Sequence, residues 1–209
     1  MKALILVDIQ NDFLPGGALA VPEGDAVVPV ANALIPNFDL VVATQDWHPP
    51  GHGSFAANQT GKQPGEMIEL AGMPQILWPT HCVQHTPGAE FAPELNVAGI
   101  DRTFAKGADA EVDSYSGFFD NGHRIPTGLG DFLRERSVTE VYVVGLATDY
   151  CVKATALDAV NLGFATVLVT DGCRGVNLAA GDTAAALAEM RAAGVRLTNS
   201  QELLKGAKP

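Results

Sequence analysis

Short apolar runs recur along this chain, and several of them stop at, or just before, a residue that carries chemistry. Lys2 to Val7 closes at Asp8, Asp39 to Thr44 runs toward Asp46, and Arg102 to Ala105 closes at Lys106. Val141 to Val144 leads through a Gly-Leu-Ala-Thr-Asp turn to Cys151. Runs of this length, rich in β-branched residues, read as strands buried on both faces, the pattern of a parallel sheet. Helical spacing separates them. A helix starting at Pro22-Glu23-Gly24-Asp25 buries Val27, Val28, Val30, Ala31, Leu34 and Ile35, and a short one covers Leu129 to Glu135. Another runs from Tyr150 to Leu162 with Val152, Ala156, Leu157, Ala159 and Val160 on its apolar positions. Further strands at Gly163–Thr170 and Val195–Thr198, an alanine-rich helix over Gly181–Ala193, and a short helix with a frayed tail from Ser200 complete the series. Strands alternating with helices predict an α/β fold: a three-layer, doubly wound, mainly parallel six-stranded sheet with helices on both faces and right-handed crossovers.

No linker, repeat or low-complexity run divides the chain, so residues 1–209 are expected to form a single domain. Within it the segment at about 45–100 is long and rich in turn formers, which suits a lid or a metal-site loop better than a plain connector. A formal charge of −11 argues against nucleic acid or an anionic membrane as partner, since both demand a basic surface. The apolar start is too short for a secretory or membrane segment, and the chain reads as cytoplasmic. Three cysteines, Cys82, Cys151 and Cys173, are too few and too scattered for a disulfide framework.

A cysteine in a helix is most often just a small buried residue. The place of Cys151 changes that weighting. It follows a strand and opens a helix, with Thr148 or Asp149 at the N-cap, where unpaired N–H groups and the helix dipole favour a thiolate. In open α/β sheets the reactive crevice lies beyond the carboxyl ends of the strands, where Asp8, Lys106 and Cys151 are all expected. A carboxylate can take the thiol proton, a lysine can hold acid and thiolate in place, and the thiolate can attack a carbonyl carbon. The N–H groups around Ala147 and Cys151 would face the resulting oxyanion. Cys173 ends a strand without a helix start and ranks lower as a nucleophile.

Asp46 and His48 lie two residues apart in an extended segment and so point the same way, which makes a usable metal edge. His81 could complete such a site. His52, Cys82 and His85 compete with it, and spacing alone does not rank them.

The sequence resembles the nicotinamidases of the isochorismatase-like cysteine hydrolase family over nearly its whole length. The specific pieces are Val7-Asp8-Ile9-Gln10-Asn11-Asp12-Phe13, Gln45-Asp46-Trp47-His48-Pro49 and Trp78-Pro79-Thr80-His81-Cys82-Val83. To these add Asp113-Ser114-Tyr115-Ser116, Gly145-Leu146-Ala147-Thr148-Asp149-Tyr150-Cys151-Val152 and Asp171-Gly172-Cys173-Arg174-Gly175-Val176. The resemblance implies an isochorismatase-like, Rossmann-like fold. It implies hydrolysis of nicotinamide, and of pyrazinamide, through a Cys151 thioester, with Asp8 as base and Lys106 as its cationic partner. It implies Asp46, His48 and His81 as ligands of a divalent metal, zinc before Fe2+ or Mn2+, that holds the substrate ring nitrogen, with His52 the candidate fourth ligand. Phe13, Trp78 and Tyr115 would wall the ring, and a cis peptide would join Leu146 to Ala147. A nicotinamide substrate and a place in NAD salvage follow, and homo-oligomerisation stays open. Two readings compete: hydrolysis of another small amide or ureido compound on the same fold, and a non-catalytic, metal-stabilised binding protein.

Overall fold

The computed structural model describes residues 1–206; the tail expected to fray beyond the last helix falls partly outside them. Six strands form one parallel sheet: β1 (Lys2–Val7), β2 (Leu40–Asp46), β5 (Arg102–Lys106), β6 (Glu140–Leu146), β7 (Ala165–Arg174) and β8 (Arg196–Thr198). Their spatial order is β5-β2-β1-β6-β7-β8, so the winding reverses between β1 and β6. That reversal opens a crevice beyond the carboxyl ends of these two strands, beside Asp8 and Ala147.

Period-two alternation splits the core in two. Ala3, Ile5, Val7, Val141 and Val143 face one layer, where α2 (Leu129–Glu135), α3 (Lys153–Asn161) and α4 (Asp182–Ala192) supply Leu129, Phe132, Leu133, Ala156, Ala159, Ala186 and Met190. Leu4, Leu6, Val41, Ala43, Tyr142 and Val144 face the other, where α1 (Val27–Leu34) contributes Val27, Val28, Ala31 and Leu34 and α5 (Ser200–Gly206) contributes Leu203. Strands buried on both faces account for the continuous apolar runs of the sequence.

Four local features differ from the sequence reading. Strand β2 runs on to Asp46, which becomes a register partner of Lys106 on β5. Strand β7 runs on to Arg174 and takes Cys173 into the sheet opposite Gly145. The 45–100 segment contains an antiparallel hairpin, β3 (Met67–Leu70) and β4 (Met73–Ile76), joined by Ala71 and Gly72, both at positive φ, as a two-residue primed turn requires. After β6 the chain enters a widened, π-helical turn, Thr148–Val152, before α3 begins. Ala147 occupies the N-cap position, and no side chain caps it.

Candidate functional site

Strand ends bring the chemistry together. Asp8 directly follows β1, adopts a left-handed conformation (φ 48°), and is fully buried. Lys106, the last residue of β5, reaches across β2, and its Nζ lies 2.9 Å from Asp8 Oδ2 and 3.4 Å from Cys151 Sγ. The same ammonium donates to the Ser114 carbonyl at 2.8 Å and pairs with Asp46. Thr44 donates to Asp8 Oδ1 at 2.6 Å, which leaves Oδ2 without a hydrogen-bond donor of good geometry on the side of Lys106 and the thiol.

Electrostatics divides the roles of the two carboxylates. Burial pushes the Asp8 carboxyl up to about 6 against the pull of Lys106, a value suited to taking and returning a proton near neutral pH. Asp46 is buried too, but Lys106 beside it holds it ionised, well below the usual carboxylate range. Burial drives the Cys151 thiol well above its ordinary value even though Lys106 opposes it. The thiol therefore needs a base, and Asp8 is within reach: its carboxylate, Asp46 and Cys151 Sγ come within 4.8 Å of one another.

The widened turn bears on the same cysteine. The Ala147 carbonyl accepts the N–H of Tyr150 and of Val152, both at 3.1 Å, and bypasses Cys151, its ordinary α-helical partner. The peptide bond between Leu146 and Ala147 is cis, as the family resemblance implied.

Asp46, His48 and His81 form a second buried group whose ligand atoms lie within 4.8 Å of one another. Asp46 Oδ2 is 3.6 Å from His48 Nε2 and 3.8 Å from His81 Nε2. Ligands at 2.0–2.1 Å around one tetrahedral ion stand about 3.4 Å apart, so the set fits a single metal. Both rings are oriented for it. His48 Nδ1 lies 2.8 Å from the Gly107 carbonyl and His81 Nδ1 lies 2.8 Å from the Pro79 carbonyl. A carbonyl only accepts, so each Nδ1 carries the hydrogen and each Nε2 turns a lone pair toward Asp46. Gly107 is needed there, because a Cβ would run into the His48 ring.

His52 packs against His48 with ring centroids 4.4 Å apart, and its Nδ1 meets Ser54 Oγ at 2.7 Å. Its buried Nε2 has no hydrogen-bond partner among the described residues, and the residue groups with His48 and Asp113 rather than with Asp46 and His81. Cys82 points away: its N–H donates to Asp12 Oδ2 at 2.7 Å, and its thiol, pushed up by burial, packs in the core. His85 stacks edge-on against Trp47. Burial sets the Cys173 thiol at about 12 within the sheet.

Phe13, Trp78 and Tyr115 line one crevice together with Asp46, His81, Ala147 and Cys151. Leu19, Asp113, Tyr150 and Val176 line it as well, and sequence reasoning singled out none of them for a site role. Tyr150 stands directly beside the nucleophile candidate, and its ring packs edge-on against Trp78 at 4.8 Å; that adjacency was the available signal. Leu19 and Val176 sit in loops whose folding back no periodicity announces.

Comparison with known proteins places this geometry among relatives. The isochorismatase domain model matches residues 2–202. The chain is 54% identical over 200 residues to the nicotinamidase of Escherichia coli, covering 94% of this chain and 93% of that one. Its fold superposes on a nicotinamidase/pyrazinamidase structure from Acinetobacter baumanii with TM-score 0.94, 49% identity and 97% of each chain covered. A pyrazinamidase structure from Pyrococcus horikoshii in complex with zinc matches with TM-score 0.77 at 41% identity, covering 95% of this chain and 98% of that one.

Proposed function

The chain belongs to the isochorismatase domain family, and we propose that it is an amidohydrolase that converts nicotinamide to nicotinate and ammonia through a thioester on Cys151. The observation that carries this reading is the meeting of Asp8, Lys106 and Cys151 beside Asp46, His48 and His81, all beneath one ring-lined crevice.

Asp8 takes the Cys151 proton, and the thiolate attacks the carboxamide carbon while Lys106 steadies the negative charge. The oxyanion faces the N–H groups of Ala147 and Cys151, the second of which the widened turn keeps out of the Ala147 carbonyl. Protonated Asp8 returns its proton to the departing nitrogen, the C–N bond breaks, and ammonia leaves a nicotinoyl thioester. Asp8 then draws a proton from water, which attacks the same carbon; the C–S bond breaks and the thiol is restored. Phe13, Trp78 and Tyr115 hold the ring. Asp46, His48 and His81 would hold a divalent metal, zinc by the chemistry of the donor set and by the Pyrococcus horikoshii neighbour, and His52 is the candidate to join them. When bound, that metal supplies a Lewis-acid anchor for the ring nitrogen, a template role. Pyrazinamide presents the same carboxamide and ring nitrogen and is the second expected substrate. Nicotinate produced in this way feeds NAD salvage. The whole activity lies in one domain, residues 1–209. Among the described residues no helix is long and apolar enough to cross a membrane.

Ammonia release from nicotinamide by the purified protein tests this, run beside Cys151→Ala and a chelated sample. Release lost in Cys151→Ala and on chelation, and restored by zinc, is the expected result. No release from metal-loaded wild type sinks it.

A further inference from the structure

Gln75 plays no part in the reaction just described, yet it is the one buried residue of the β3–β4 hairpin. Strand β4 alternates, with Pro74 exposed, Gln75 buried and Ile76 half-buried, so the pleat drives the amide inward beneath the crevice wall. Its Nε2 meets the Ile76 carbonyl at 2.8 Å, Asp113 Oδ2 at 2.9 Å and the Tyr115 hydroxyl at 3.1 Å, while Oε1 receives Asn121 Nδ2 at 3.4 Å. A carboxylate and a carbonyl only accept, so the amide is fixed with its nitrogen toward them, its two hydrogens shared among the three oxygens. The Tyr115 oxygen receives a second N–H, from Trp78 Nε1, at 3.1 Å. Two donors converge on one phenol, and both rings they belong to or restrain line the crevice.

An apolar residue would serve a hairpin better if packing were the only demand, because burying an amide costs free energy that its hydrogen bonds only offset. Two of the bonds of Gln75 go to neighbours that line the crevice, Tyr115 and Asp113. We propose that Gln75 is a positioning residue for the amide hydrolysis: it locks the Tyr115 and Trp78 rings and the Asp113 carboxylate behind them, so the ring-binding wall is formed before substrate arrives. This rests on the nicotinamidase reading and gives the hairpin its purpose, since Trp78 follows β4 by two residues.

The test compares Gln75→Met, which matches the length and lacks the donor, in wild-type and Tyr115→Phe backgrounds, by steady-state ammonia release and thermal unfolding. Gln75→Met is expected to raise KM for nicotinamide about fivefold, the scale of one lost hydrogen bond, with kcat within about twofold. In Tyr115→Phe, where the phenol is already gone, the same change is expected to move KM less than about twofold. A KM unchanged by Gln75→Met, or an equal rise in both backgrounds, overturns the proposal. Gln75→Glu keeps the shape but sets a carboxylate against Asp113; if Gln75→Met does not fold, a raised KM in Gln75→Glu supports the proposal and an unchanged one overturns it. Wild type that releases no ammonia refutes the function itself, whereas an active wild type with an indifferent Gln75 refutes only this inference.

Discussion

Lys106 and Asp46 are register partners on neighbouring parallel strands, and their side chains pair at the carboxyl edge of the sheet. The ammonium that supports Asp8 and Cys151 is thereby also the partner of the carboxylate in the metal-ligand set. Burial favours loss of the Lys106 proton, but Asp46 and Asp8 hold its pKa well above the ordinary lysine value, so it stays charged. Lys106→Met leaves two buried carboxylates without their cation. The expected loss is about 3–5 kcal/mol of stability, the cost of breaking a buried pair. Turnover is expected to fall at least about 10²-fold, with KM moving far less. Urea unfolding and steady-state kinetics check both, and an active, equally stable Lys106→Met protein would contradict the arrangement.

Asp8 predicts the acid side of the pH profile. Its pKa is raised to about 6 by burial, so below that value the folded enzyme carries a protonated Asp8 that cannot accept the Cys151 proton. kcat/KM is expected to rise about tenfold per pH unit up to a midpoint near 6 and then to level. Asp8→Asn is expected to cost about 10²- to 10⁴-fold at pH 7. A profile flat from pH 4.5 to 8 would move the base elsewhere.

The sheet and its two helical layers were legible because burial on both faces writes continuous apolar runs, which periodicity detects. Asp8, Lys106 and Cys151 were legible because they stand at or just after strand ends. What escaped depends on tertiary partners. The β3–β4 hairpin is short, half exposed and interrupted by Pro74, so its alternation is faint. The N-cap expected of Thr148 or Asp149 fails because the Asp149 carboxylate is drawn to the backbone of Val176 and Asn177 instead. Burial raises the Cys151 thiol against the pull of Lys106, an effect no local spacing reveals.

His48 is expected to act on metal and substrate together. With Nδ1 committed to Gly107, its only free nitrogen faces Asp46, and His48→Ala removes a donor that nothing else in the set replaces. Metal content of the purified variant should fall below half of wild type, and KM for nicotinamide should rise at least about tenfold. Cys82→Ala, whose thiol lies in the core, should keep its metal. Equal metal occupancy in wild type and His48→Ala, measured by elemental analysis, would refute the ligand assignment.

Asp149 carries the last prediction, because it ties the nucleophile's turn to the loop that brings Val176 to the crevice. Its two carboxylate oxygens accept the N–H of Val176 at 2.9 Å and of Asn177 at 2.7 Å, and Val176 lines the crevice. Asp149→Ala frees that loop while leaving Asp8, Lys106 and Cys151 untouched. Hydrogen bonds to a charged group contribute about 1.5–3 kcal/mol each, and the loop reclaims part of that by bonding water, so a net loss near 2 kcal/mol is expected. In a chain of this length that lowers Tm by about 4–8 °C. The functional signature should be a KM for nicotinamide raised about three- to tenfold with kcat within twofold, since Val176 lines the crevice and is no part of the Asp8, Lys106 and Cys151 group. A kcat that collapses with KM unchanged would instead place Asp149 in the support of Cys151 itself.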